Sequence, residues 1–248
     1  MPRPRTSDGV TAYLIERILE GALPPGTRLD LDALAARLGV SRASAREGLS
    51  PLERDGLVRV THHRGVFVAP IDARTIREAF DLYGLLCALA ARRAAARRTD
   101  DLLASLAEID EALASTTDVD EFERACAQLR RVIAVAGAGP HLRALLRSFG
   151  GLVPAATRLS IVEAMAEERA ALRTLFLAVG AGDASAAAAA ALDHSILTAD
   201  NAIRELRRRG VIDGPAEDLD ERAVHLDLIR RIDDRGTTTR PRNVPLGR

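Results

Sequence analysis

Residues 23–69, LPPGTRLDLDALAARLGVSRASAREGLSPLERDGLVRVTHHRGVFVA, decide the fold of this chain. Pro24, Pro25 and Gly26 end any preceding helix and open a loop. Asp30 or Asp32 then caps a helix whose apolar positions, Leu31, Leu34, Ala35 and Leu38, recur at helical spacing. Gly39 closes that helix, because a left-handed residue costs least at glycine. Ser41 caps a second helix, with Ala45, Leu49 and Leu52 on its apolar side. Helix, Leu-Gly-Val-Ser turn and helix in this order form a helix-turn-helix. Val58-Arg59-Val60-Thr61 alternates apolar and polar residues, as a half-buried strand does, and Val66-Phe67-Val68 is a short β-favouring run. A hairpin is therefore expected, with His62, His63, Arg64 and Gly65 at its tip.

The chemistry of this unit points to DNA. Arg42 and Arg46 lie four apart and share one polar side of the second helix. A guanidinium binds guanine bidentately or pairs with a phosphate, and the sequence leaves open which arginine does which. Two arginines alone would read as a solvated helix face; the turn and the basic hairpin around them favour DNA contact. His62 and His63 suit a wing against phosphate or the minor groove, or else a plain exposed turn. They do not suggest a metal site, since adjacent side chains diverge and no third ligand lies near.

On these residues, segment 7–70 resembles the winged helix-turn-helix of GntR-family bacterial regulators. The matching stretches are LPPGTRL at 23–29, LAARLGVSRASARE at 34–47, LERDGLV at 52–58 and HRGVFV at 63–68. The resemblance implies operator contacts from Ser41, Arg42, Ser44 and Arg46 on the recognition helix, and from His63, Arg64 and Gly65 in the wing. Some relatives add an arginine on the helix before the turn; Asp32 stands at that place here. Gly48 and Pro51 also depart from the family pattern. A proline inside a straight helix costs about 3 kcal/mol, which predicts a kink or a tighter turn downstream of the DNA-reading residues.

Composition narrows the rest. All 35 basic residues among the 248 are arginine, and 35 acidic residues bring the net charge to zero. Residues 1–70 carry ten arginines against eight carboxylates, so affinity for a polyanion rests on placement of charge rather than its sum. Hydrophobic residues make up 47%, enough for packed cores. No signal peptide is recognisable, and no apolar run approaches the roughly 20 residues that span a bilayer. Cys87 and Cys126 give no disulfide framework, so a reducing cytoplasm is the expected setting.

From about residue 72 the pattern is helical. Ile76, Phe80, Tyr83, Leu86 and Leu89 mark a helix over 71–97. A second runs over 100–114 from a Thr99 or Asp100 start. A third begins at Asp118 or Asp120 and ends before Gly137. A short helix covers 141–149, and Gly150, Gly151 and Pro154 break the chain before a longer segment reaching Val179. The last helix runs from about Ala184 to Arg209. The expected fold class is mainly α: a winged helix-turn-helix with a small β-hairpin, then an all-α antiparallel bundle of six or seven helices. Domain limits are expected at 1–70, 71–210 and 211–248. Residues 217–232 form an amphipathic stretch suited to packing on the bundle or on a second subunit. The basic tail 235–248 reads as disordered.

Residues 75–210 resemble the ligand-sensing FCD domain of FadR-type GntR regulators, through AVAGAGPHLRALL at 134–146 and AVGAGDASAAAAAALDHS at 178–195. Many FCD domains hold a divalent metal through one Asp and three His, and the metal helps bind a carboxylate effector. Carried over one at a time, those positions fall on Cys126, Arg130, Leu172 and His194. Leucine cannot ligate and arginine stays protonated; two remaining donors are too few for a closed zinc site. No metal cofactor is therefore expected. Arg130 then either binds an effector carboxylate directly or pairs with an acidic neighbour. Cys126 reads as a small buried hydrophobe, and His194 as a core histidine rather than a base.

The reading as a whole is a DNA-binding regulator, not an enzyme. The resemblance implies a homodimer on a palindromic double-stranded operator, acting as a repressor and released by a small carboxylate effector, with no membrane partner. The alternative is a ligand-independent dimer whose bundle serves only assembly.

Overall fold

The computed structural model describes residues 7–61 and 64–213. The expectations for His62 and His63, for the amphipathic stretch 217–232 and for the tail 235–248 lie outside the described residues. The N-terminal part runs α1 (Ser7–Leu19), β1 (Arg28–Leu29), α2 (Leu31–Leu38), α3 (Arg42–Glu47), α4 (Leu49–Arg54), β2 (Val58–Thr61) and β3 (Gly65–Val68). Asp30, not Asp32, is the cap of α2: its side chain accepts from the N–H groups of Asp32 and Ala33. Gly39 ends α2 at φ 66°, in the left-handed region. Ser41 caps α3 by accepting from the Ser44 N–H at 3.0 Å. Ala45, Leu49 and Leu52 are buried on the apolar side.

The recognition segment does break, but at Gly48 rather than at Pro51. Pro51 is the third residue of α4, within the first turn, where the missing N–H has no intrahelical partner to lose. Gly48 is where the chain presses on α1. A Cβ there would lie 2.7 Å from both the Ser7 carbonyl oxygen and the Val10 Cβ. The Thr11 hydroxyl donates to the Gly48 carbonyl at 2.7 Å. The glycine thus follows from close approach, and the proline is placed where it costs little.

The wing is a three-stranded antiparallel sheet in the order β1-β3-β2. The sequence pattern held only two strands, because two residues of β1 are too few for a period. Arg28 pairs with Phe67, and Val60 with Val66. Val66 and Val68 are buried, whereas Val60 is 46% exposed, so β2 does not bury the alternation that its sequence displays.

Six helices follow among the described residues: α5 (Ala73–Arg97), α6 (Asp100–Ser115), α7 (Val119–Gly137), α8 (Pro140–Ser148), α9 (Leu152–Ala181) and α10 (Ala184–Arg208). Asp72, Thr99, Asp118 and Asp183 each cap a helix through the side chain. Pro154 does not break the chain; it sits in the first turn of α9. That helix bends further on, at Ala164, whose φ −150° and ψ 53° are not helical. Ile76 and Phe80 of the expected α5 stripe are buried, but further along the buried face is Gly84, Ala88, Ala91 and Ala95, and Tyr83, Leu86 and Leu89 are only half-buried. Small residues let the helices approach closely. A Cβ at Gly137 of α7 would fall 1.8 Å from the Ala90 carbonyl oxygen of α5.

The hydrophobic core is continuous from the winged segment into the bundle. It joins Val10, Leu14, Leu52 and Leu57 to Leu152, Val153, Ala156, Ile203 and Leu206. Ile71, in the short link before α5, is buried in it. Among the described residues no helix is long and apolar enough to cross a membrane.

Candidate functional site: a DNA-facing surface and a bundle cavity

The short helix α3 presents Ser41, Arg42 and Arg46 on its exposed side, with Ser44 half-buried. The Ser41 and Ser44 hydroxyls also contact each other at 2.9 Å, so both help shape the helix start. Arg42 is paired: its Nε lies 3.2 Å from an Asp32 carboxylate oxygen, across the turn between α2 and α3. Arg46 has no carboxylate ion-pair partner among the described residues. In the wing, Arg64 is exposed and its N–H donates to the Thr61 carbonyl at 3.0 Å. Gly65 has φ 109°, and a Cβ there would meet the Arg28 Nε at 3.2 Å. Arg28 thus joins the basic residues at this end of the sheet. Its place was not legible before β1 was known to pair with β3.

Within the bundle, Cys126, Arg130, Leu172 and His194 line one cavity of about 470 Å³. The resemblance brought these four together by alignment; α7, α9 and α10 bring them together in space. Apolar walls come from Phe80, Leu129, Ile133, Leu146, Val153 and Leu175, and Arg143 and Arg147 lie at the α8 side. Burial pushes the Cys126 thiol up to about 12, against the opposing influence of Arg130. Burial likewise pushes Cys87 up to about 11. Both side chains are neutral thiols at physiological pH. No carboxylate among the described residues forms an ion pair with Arg130, so the acidic-neighbour alternative gains no support from the geometry.

His194 is not isolated. Its Nε2 lies 2.7 Å from the Glu168 carboxylate, which is wholly buried. The Ser160 hydroxyl donates to the other Glu168 oxygen. Ser160 and Glu168 stand on opposite sides of the Ala164 bend, so one carboxylate ties both halves of α9 to α10. Burial raises the affinity of Glu168 for a proton, but the His194 charge and the hydrogen bonds from His194 and Ser160 outweigh it, and the carboxyl sits below its ordinary range. Neither Ser160 nor Glu168 was singled out from the sequence. In AEERAALR at 166–173 the glutamate pair beside Arg169 reads as part of a solvated face.

The cavity does not suit the divalent metal of the family pattern. Arg130 adds fixed positive charge, Leu172 offers no donor, the Cys126 thiol resists ionisation and Glu168 already holds the His194 Nε2. Among the described residues no three His, Cys, Asp or Glu side chains are grouped to hold an ion.

Comparison with known proteins agrees with both halves. The model of bacterial regulatory proteins of the gntR family matches residues 6–68, and that of the FCD domain matches residues 78–196. Rv0043c of Mycobacterium tuberculosis, an uncharacterised HTH-type transcriptional regulator, is 33% identical over 218 residues, covering 85% of this chain and 86% of its own. The gluconate operon transcriptional repressor of Bacillus licheniformis is 29% identical over 125 residues, 49% of this chain and 51% of its own. Among solved structures, E. coli McbR/YncC shares the fold with a TM-score of 0.60 at 22% identity, covering 82% of this chain and 98% of that one. A winged helix-turn-helix followed by an FCD bundle, matched in sequence along most of a relative's length, makes this chain a member of the GntR family of DNA-binding transcriptional regulators.

Proposed function

We propose that this regulator is a homodimeric repressor in the cytoplasm, reading a palindromic operator, and that a small carboxylate in the bundle cavity releases it from DNA. Ser41, Arg42, Ser44 and Arg46 meet the major groove, and the wing residues His63, Arg64 and Gly65 meet the backbone or minor groove. One observation carries the effector reading. Arg130 lines a cavity with largely apolar walls and has no carboxylate partner of its own among the described residues. A guanidinium in such a place binds a carboxylate more strongly than in open water, because apolar walls weaken the screening of the pair. No metal takes part in this reading. The name of the gluconate operon relative supports repression.

The effector acts only through its differential affinity for two arrangements of the DNA-binding heads. Helix α9 suits that role, since Val153, Pro154 and Leu172 line the cavity and its N-terminus contacts the head through Asp55. The test is a thermal-shift screen of mono- and dicarboxylates, followed by operator release measured by fluorescence anisotropy. Wild type is expected to respond to at least one acid, and Arg130→Ala to lose that response while still binding DNA. A full panel without effect would favour the assembly-only reading, which the self-paired Glu168–His194–Ser160 network also suits.

A further inference from the structure

The pair between Asp32 and Arg42 has no role in stability that its geometry supports. Both side chains are about 70% exposed, and exposed pairs contribute little. Asp32 is not a cap either, because Asp30 already accepts from the first N–H groups of α2. A carboxylate on the side of the molecule that approaches phosphates is unfavourable for DNA affinity. We propose that Asp32 is a specificity-determining residue, which holds Arg42 for a guanine and withholds it from phosphate.

Arg42 offers a planar fork of five N–H donors. The closest approach of Asp32 is to the Nε, at 3.2 Å, and base contact falls to the outer edge of the two terminal nitrogens. That edge matches the O6 and N7 acceptors of guanine in the major groove. The carboxylate restricts the arginine rotamers before DNA arrives, so less freedom is lost on base contact. It also repels any phosphate approaching the same guanidinium. Arg46, one turn further along α3, has no such partner and is the phosphate clamp. The proposal rests on the operator contact assigned to Arg42 above, and goes beyond it by giving the two arginines different tasks.

The test uses the full chain and a random-duplex selection followed by sequencing, with anisotropy titrations on the selected duplex and on a scrambled one across a salt series. The variants are Asp32→Ala, Arg42→Ala and Arg46→Ala. Wild type is expected to select a guanine at one position of each half-site. Asp32→Ala is expected to weaken that preference and lower the selected-to-scrambled affinity ratio about tenfold, while binding the scrambled duplex more tightly. Arg42→Ala removes the same guanine preference. Arg46→Ala weakens both duplexes alike and reduces the salt slope by about one. A helix-terminal acid of purely structural use would move the melting temperature and leave the guanine preference intact. That result for Asp32→Ala, with Arg42→Ala still losing the preference, overturns the proposal alone. If Arg42→Ala also keeps the preference, or wild type selects no base, the operator contact falls with it. If Asp32→Ala loses a preference that Arg42→Ala retains, Asp32 reads a cytosine amine itself and does not act through Arg42.

Discussion

Asp55, at the end of α4, caps a helix that begins 97 residues later: its Oδ2 accepts the Leu152 backbone N–H at 3.2 Å. Gly151 supplies no side chain for that purpose, and a Cβ there would lie 2.6 Å from the same oxygen. The helix that walls the bundle cavity is thus finished by a residue of the DNA-binding head. Asp55→Ala is expected to cost about 1 kcal/mol, as loss of a cap does, lowering the melting temperature by roughly 2–4 °C for a chain of this size. Asp55→Asn keeps an acceptor and should stay near wild type. Denaturant titration of the three proteins checks this; equal stability of Asp55→Ala and wild type would remove Asp55 as a cap.

The Glu168 carboxyl sits below its ordinary range in the folded chain, so its ionised form is favoured by folding. Its contribution is complete above the unfolded pKa of about 4.3 and is lost as pH falls through the lower folded value. Glu168→Gln cannot titrate. Wild type should therefore lose melting temperature between about pH 5 and pH 3 more steeply than Glu168→Gln, which starts lower at neutral pH because His194 and Ser160 lose a charged partner. Parallel pH profiles for the two proteins would contradict this account of the network.

Gly48 leaves no room for a side chain against Ser7 and Val10. Gly48→Ala is expected to destabilise the fold by about 1–3 kcal/mol through overpacking and to weaken operator binding as α3 shifts. Chemical denaturation and anisotropy read both effects. An alanine variant as stable as wild type would mean that α1 yields at this contact.

Cys87 and Cys126 carry thiols raised to about 11 and about 12 by burial. At pH 8 their thiolate fractions are orders of magnitude below that of a free cysteine near 8.5. Iodoacetamide should modify Cys126 roughly a thousandfold more slowly in the folded chain than in urea. Mass spectrometry of time points decides this, and prompt labelling of native protein would show an open cavity.

Those features with a local cause were legible in the sequence. Ser41 and Gly39 act at helix ends through their own backbone neighbours, so their spacing in the chain was sufficient, while for α7 spacing left Asp118 and Asp120 open and the structure selects Asp118. The four cavity positions were reached through family likeness, and the fold brings all four to one space. What escaped was non-local. β1 exists only because β3 lies beside it, and Glu168 matters only because the Ala164 bend turns it towards Ser160 and His194. Beyond Phe80 the buried face of α5 departs from the expected stripe for a related reason. Large residues mark a buried stripe by hydrophobicity, whereas Gly84, Ala88 and Ala91 mark one by letting a neighbouring helix come near.

The break at Gly48 bears on moving specificity between proteins. Helix α3 is six residues long, started by Ser41 and stopped where α1 meets Gly48. Grafting residues 41–47 onto another scaffold would carry the letters of recognition without their aim. A graft that keeps the aim has to bring α1 with it, because the first helix is the sight by which the reading helix is pointed.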